Sequence, residues 1–302
     1  MDRALIIGEA LVDIVHGPDG AAAEHAGGSP ANVAVALSRL GRPATLLAQY
    51  ADDRLGALLD AHLRGEGIEV VRQEPRSGRT SSADARIGAD GAASYVFDLE
   101  WSIQPWKPTR EPLIVHTGSL GAVLSPGAGS VLELVDLLRP HATSTYDLNI
   151  RPGAMGQLDV IHGAVLAVVG RADVVKASDE DLAHLFPDLD AVAAAELLLG
   201  YGPAAVVITR GGEGATAVTP HERVDVAAPR VAVADTIGAG DSFCAAVIDG
   251  LWDLGMLGGG ARDSLRAMRA DGWRRVLEHA TAVAAITVTR PGADPPRRHE
   301  LP

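Results

Sequence analysis

Short apolar runs alternate with helix-length amphipathic segments along almost the whole chain, and few architectures accept that alternation. Residues 4–8, 45–48, 113–116, 173–175 and 204–209 are compact, mostly apolar runs suited to strands buried on both faces, and the Thr/Tyr-containing run 143–147 reads likewise. Between or after them lie helical patterns at 55–63, 130–138, 158–169 and 189–199. This order predicts an α/β fold with a mainly parallel sheet covered by helices on both faces. Ligands of such sheets bind beyond the carboxyl ends of the strands. The residues that close these runs, 116–119, 147–149 and 209–211, are therefore expected to converge.

Two stretches break the alternation. Residues 12–25 carry a Gly-Pro-Asp-Gly turn at 17–20, and residues 81–97 read as two strands around Ala89-Asp90-Gly91, a hairpin signal.

The bulk properties narrow the function. A chain of 302 residues with 47% hydrophobic content buries a large core, as one α/β domain or two. A net charge of −13, from 26 basic and 39 acidic residues, argues against nucleic-acid binding and provides no polybasic membrane patch. No run reaches about 18 uncharged apolar residues, so no membrane span is expected. The first residues do not read as a signal peptide, which places the expected location in the cytoplasm. A lone Cys244 excludes an internal disulfide and a cysteine metal cluster, and its apolar surroundings read as those of a buried thiol. The ten histidines lack ligand spacing, and Gly258-Gly259-Gly260 lacks the Lys-Ser/Thr of a P-loop.

Chemistry concentrates in Asp235-Thr236-Ile237-Gly238-Ala239-Gly240-Asp241. A buried-looking run, 231–234, leads in, and an apolar run, 242–251, follows. Small residues let the backbone turn sharply and point successive N–H groups into one concavity. With a helix starting near Gly240, those amides sit at its positive end and bind an anion such as phosphate. Asp241 then stands where a carboxylate can take a proton from a substrate hydroxyl. The structural alternative is a Gly-rich turn with a first-turn acid favoured by the helix dipole.

A second segment is Ala26-Gly27-Gly28-Ser29-Pro30-Ala31-Asn32-Val33-Ala34. The glycines allow close approach of a ligand. Ser29 before Pro30 reads as an N-cap with proline in the first turn. Val33, Ala36, Leu37 and Leu40 form an apolar stripe that Gly41 ends. Asn32 lies off the stripe and can offer a donor and an acceptor to a polyol.

These two segments, in this order, resemble the signatures of the ribokinase-like (PfkB) carbohydrate kinases, and within that family the chain is most similar to bacterial fructokinases. Further matches lie at residues 8–13, 147–152, 176–181, 209–214 and 288–293, so the resemblance spans almost the whole chain. It implies a three-layer ribokinase-like fold with a small β lid over the sugar, paired with that of a second subunit in a homodimer. Residues 14–26 and 81–107 would form the lid, and 1–13, 27–80 and 108–302 the core. It implies ATP and a sugar as substrates, most readily D-fructose phosphorylated at O6, with ribose, 2-keto-3-deoxygluconate or a nucleoside as alternative acceptors. Asp241 would be the general base, with the amides of Gly238, Ala239 and Gly240 as the anion hole. Asp13, Gly27, Gly28, Asn32 and Arg151 would hold the sugar, with a salt bridge to Asp147 as the structural alternative for Arg151. Ser178, Thr209, Gly211 and Gly214 would lie on the nucleotide side. Magnesium accompanies phosphoryl transfer. Ser178 and Asp181 stand where the wider family has Asn and Glu, so Asp181, one methylene shorter, would reach the metal through water. Some members also use potassium, and Asp235 with carbonyls near Ile237 and Pro291 could form such a site. Two other classes were weighed. A dinucleotide-dependent oxidoreductase needs a Gly-x-Gly-x-x-Gly turn that Gly8-Glu9-Ala10 does not supply. A non-catalytic sugar-binding regulator would tolerate loss of the base or the anion hole, and both are intact.

Overall fold

The computed structural model describes residues 2–16, 22–87 and 93–302. Its strands are β1 (Ala4–Ile7), β2 (Leu11–His16), β3 (Ala22–Gly27), β4 (Ala44–Gln49), β5 (Glu69–Gln73), β6 (Ser82–Ile87), β7 (Ala93–Asp98), β8 (Ile114–Gly118), β9 (Thr143–Asp147), β10 (Val174–Ser178), β11 (Ala205–Thr209), β12 (Ala215–Val218) and β13 (Arg223–Val226). The helices are α1 (Ser29–Arg39), α2 (Arg54–Gly65), α3 (Ser119–Val123), α4 (Gly127–Leu138), α5 (Pro152–Met155), α6 (Leu158–Val169), α7 (Asp179–Leu185), α8 (Ala191–Leu199), α9 (Ala239–Asp253), α10 (Arg262–Arg266) and α11 (Ala270–Thr287).

The apolar runs become a 9-stranded sheet in the order β13-β12-β11-β10-β9-β8-β1-β4-β5. Its strands are parallel from β5 to β11, and β12 and β13 run antiparallel at one edge. Every residue of β1, β4, β8 and β9 is buried, as strands between two helical layers are. Leu37, Leu59, Ile248 and Trp273 pack α1, α2, α9 and α11 against one face. Val165, Leu182 and Leu198 bring α6, α7 and α8 to the other, where α4 packs Val131 and Leu134 beside Trp101 and Ile103. The result is the three-layer α/β fold that the sequence implied. The chain steps from β1 to β4 and β5 on one side and returns to β8 on the other. The strand order therefore reverses at β1–β8, the position where such sheets bind ligands.

A 4-stranded sheet, β3-β2-β6-β7, grows from the carboxyl end of β1, with β2 and β6 parallel and the other pairs antiparallel. It takes up both stretches that broke the alternation. Their expected turns, 17–20 and 89–91, lie outside the described residues.

Two local expectations are corrected. Ser29 is the first residue of α1 rather than its cap; Gly28, at φ 101, takes the cap position with no side-chain bond. The helix starts one residue earlier than expected, at the Gly-Gly approach, which frees the Ser29 hydroxyl from capping. Residues 231–234 are not buried: Val231 is 41% exposed and Val233 62%. Pro229 follows β13 and cannot donate to a ladder, so the chain leaves the sheet edge as a loop. At the other end of α1, Gly41 does stop the helix, at φ 80, with its N–H on Ser38 O and that of Arg42 on Leu37 O.

Candidate active site

Helix α9 starts one residue before the expected point. Gly238 is its cap in the left-handed region, at φ 73, and a Cβ there would lie 2.7 Å from the Cβ of Ala293. Glycine is therefore required twice over, by backbone and by space. The Ala239 N–H closes the turn on Thr236 O at 3.2 Å. Among the described residues, the N–H groups of Gly238 and Gly240 have no such acceptor, and they open at the positive end of a 15-residue helix. Asp235 braces the turn: its Oδ1 accepts from Ile237 N at 3.0 Å and its Oδ2 from Gly292 N at 2.8 Å. Burial would raise its pKa, but these amides lower it and keep it anionic.

Asp241 sits in the first turn of α9, facing the start of α1. Ser29 Oγ donates to its Oδ1 at 2.6 Å and Asn32 Nδ2 to its Oδ2 at 2.8 Å. Loss of hydration pushes its pKa above the usual carboxylate value, while these two bonds and the charges of Lys176 and Arg151 pull the other way. Asn32, read from the sequence as a polyol ligand, is thus tied to the Asp241 carboxylate.

Gly27 and Gly28 have separate reasons to be glycine. A Cβ on Gly27 would meet Asp13 Oδ2 at 2.2 Å, and one on Gly28 would meet Glu9 O at 2.5 Å. Asp13 lies within β2, opposite His25 on β3. Burial pushes its pKa to about 6, with His25 lowering it and Asp241 raising it. Glu9, between the two sheets, accepts from Gly121 N at 2.8 Å, and burial raises it to about 7.

Sequence reasoning missed the floor of the site. Lys176 on β10 is 5% exposed, and its Nζ donates to Asp147 Oδ2 at 3.0 Å. A Cβ on Gly240 would lie 3.1 Å from that Nζ, so a buried cation underlies the open amides. Burial opposes its charge, but Asp147 and Asp181 raise its pKa and hold it charged. The available signal was a lysine inside the apolar run Val174-Val175-Lys176-Ala177, since a lysine is almost never buried without a partner. Beside it, His116 keeps its Nδ1 on Thr145 Oγ1 at 3.0 Å, and burial drives its pKa down to about 3. Cys244 is buried there, with its thiol pKa raised by loss of hydration.

The remaining residues fall at the expected strand ends but with mixed contacts. Ser178 caps α7 and forms a capping box with Asp181. Both Asp181 oxygens accept backbone N–H groups, from Ile150 at 2.7 Å and Ser178 at 2.8 Å. Arg151 does not bridge Asp147, which pairs with Lys176; its Nη1 donates to Ile150 O at 3.1 Å. Thr209 ends β11, and Gly211 follows at φ 47 with open space on its Cβ side. Gly214 has an internal reason to be glycine: its Cβ would meet Val226 O at 2.1 Å. No group of three His, Cys, Asp or Glu among the described residues could hold a metal.

A reversed strand order in a parallel sheet, open amides at a helix start above it and a carboxylate in that first turn form a site suited to an anion beside a hydroxyl. The chain belongs to the pfkB family of carbohydrate kinases, whose sequence pattern it matches over residues 1–300. It is 32% identical over 259 residues to a fructokinase of Rhizobium leguminosarum bv. trifolii, covering 82% of this chain and 79% of that one. It is 29% identical to a fructokinase of Escherichia coli, covering 96% and 94%. Among solved structures, the fructokinase of Xylella fastidiosa with bound ATP superposes with a TM-score of 0.86 at 25% identity, covering 100% of this chain and 96% of that one.

Proposed function

We propose that the protein is a fructokinase, transferring the terminal phosphoryl group of ATP to O6 of D-fructose. The observation that carries this reading is the placement of the Asp241 carboxylate in the same helical turn as the open amides of Gly238 and Gly240. Each carboxylate oxygen has two lone pairs, and Ser29 and Asn32 occupy one on each. A lone pair remains for the sugar hydroxyl. Asp241 takes its proton as the oxygen–phosphorus bond forms, the bond to the β-phosphate oxygen breaks and ADP leaves. The amides and Lys176 stabilise charge on the transferred group.

Asp13 and Asn32 grip the sugar hydroxyls, with Gly27 and Gly28 leaving them room and Arg151 at the rim. Ser178, Thr209, Gly211 and Gly214 flank the nucleotide. The donor set suits a magnesium carried on the ATP phosphates and completed by water, because the described residues offer no cage of their own. Asp181 reaches it only through water, its oxygens being held by amides. Bound there, the metal would neutralise phosphate charge. Asp235, kept anionic beside Ile237 and Gly292, is the candidate for a potassium ion.

The small sheet, with residues 14–26 and 81–107, serves as a lid over the core of 1–13, 27–80 and 108–302, and closes to exclude water. Val96, 62% exposed on β7, supports a second subunit covering it in a homodimer. The need for ATP supports a cytoplasmic location. Among the described residues, no helix is long and apolar enough to cross a membrane.

The test is ADP release across D-fructose, D-ribose, 2-keto-3-deoxygluconate and adenosine with ATP and magnesium. Fructose should give the highest kcat/KM. A better competitor would leave a kinase of another sugar, and no turnover with any of them would overturn the reading.

A further inference from the structure

We infer that Ser29 is a positioning residue for the reaction: its hydroxyl holds the Asp241 carboxylate in the orientation that accepts the sugar proton. The inference rests on the assignment of Asp241 as the base.

Three observations carry it. The Ser29 side chain is directed at Asp241 across the α1–α9 contact, with Oγ 2.6 Å from Oδ1. Ser29 is 8% exposed, so the hydroxyl has little competition from water. The α1 cap is Gly28, and Ser29 makes no capping bond, so the hydroxyl has no helix-starting duty. Asn32, one turn on, fixes Oδ2 in the same way. A carboxylate held at both oxygens cannot rotate away from the incoming hydroxyl. Both donors are neutral, so they orient the base without the strong loss of basicity that a guanidinium would impose.

The sign of the pH effect follows. A donor to the charged carboxylate holds its pKa down; removing it lets the base protonate at higher pH. The other groups facing Asp241 are Lys176 on β10, Arg151 before α5, Asp147 on β9, Asp13 on β2, Glu9 after β1 and Cys244 on α9. Substitution at Ser29 leaves them in place, so they form a common baseline.

The experiment is the pH profile of kcat, at saturating fructose and ATP, for wild type, Ser29→Ala and Ser29→Thr. Ser29→Ala should move the acid limb up by about one pH unit and lower kcat by about tenfold, with the KM for ATP unchanged. Ser29→Thr, which keeps a hydroxyl, should bring the limb back. Should the alanine variant melt early, Ser29→Cys fills the space with a weaker donor and should show the same upward displacement. A folded Ser29→Ala with an unmoved limb and kcat within twofold of wild type overturns the inference, provided Asp241→Asn in the same assay is inactive. If Asp241→Asn keeps full turnover, the base assignment fails and this inference fails with it.

Discussion

Asp241 and Asp249 lie on the same helix, about two turns apart, and they are opposites. Asp249 is fully buried, yet its carboxylate accepts from Arg42 Nε at 2.6 Å, His279 Nε2 at 2.7 Å and the Arg298 guanidinium. Burial would raise its pKa, but the His279 and Arg42 bonds and the charges of Arg298 and Arg42 lower it. Asp241 is held by a hydroxyl and an amide, and its pKa stays raised. Asp249 has three donors and Asp241 two, and the donors differ in charge as well. Cationic donors turn a buried aspartate into a clasp, here joining the loop after α1, α9, α11 and the C-terminal segment. Neutral donors leave it basic, which a proton acceptor requires.

The largest expected effect is on chemistry. Asp241→Asn keeps the shape and removes the proposed base, so kcat should fall about 10²- to 10⁴-fold with a much smaller change in the sugar KM. A variant retaining a third or more of wild-type kcat, with chemistry rate-limiting, would break the contrast. Its stability should not fall, because an aspartate with a raised pKa is not contributing stability as an anion.

Asp249→Asn should do the reverse. Breaking a buried pair leaves uncompensated partners and should cost about 3–5 kcal/mol in denaturant unfolding, with kcat nearly unchanged while folded. Because the folded pKa is lowered, the stabilisation from Asp249 is present above the unfolded value of about 4 and is lost as pH falls through the folded one. Equal stability of Asp249→Asn and wild type at neutral pH would remove the clasp.

A smaller effect concerns Asp13, whose pKa is pushed up to about 6. As pH falls through that value it gains a proton and loses acceptor capacity toward sugar hydroxyls. The kcat/KM for fructose should then drop by about tenfold, and Asp13→Asn should flatten that limb. A limb that survives in Asp13→Asn belongs to another group.

Much of this was legible in the chain, and what was missed has a common cause. The strand at 143–147 and the helix at 158–169 match the structure residue for residue, because a β-prone Thr/Tyr run and a repeating apolar face are local signals. The hairpin at 81–97 was equally local. Residues 231–234 misled because an apolar run does not reveal whether a neighbouring strand exists to bury it. The Ser29–Asp241 bond joins positions 212 residues apart, and no periodicity carries that information. Lys176 was visible as an anomaly in an apolar strand, but its partner was not, since pairing with Asp147 depends on the adjacency of β9 and β10. Glycine showed the same divide. The sequence read Gly27-Gly28 as room for a ligand, and only the fold shows that their Cβ sides face Asp13 and Glu9, as that of Gly214 faces Val226.

Asp241 is held above the usual carboxylate value where Asp249 is held below it, and a carboxyl titration reads both at once. In protein labelled with ¹³C at aspartate carboxyls, assigned through Asp241→Asn and Asp249→Asn, the Asp241 signal should titrate above the ordinary aspartate value and the Asp249 signal below it. If Asp241 titrates at or below Asp249, neutral donors have not preserved a base, and the proton acceptor of this kinase lies elsewhere.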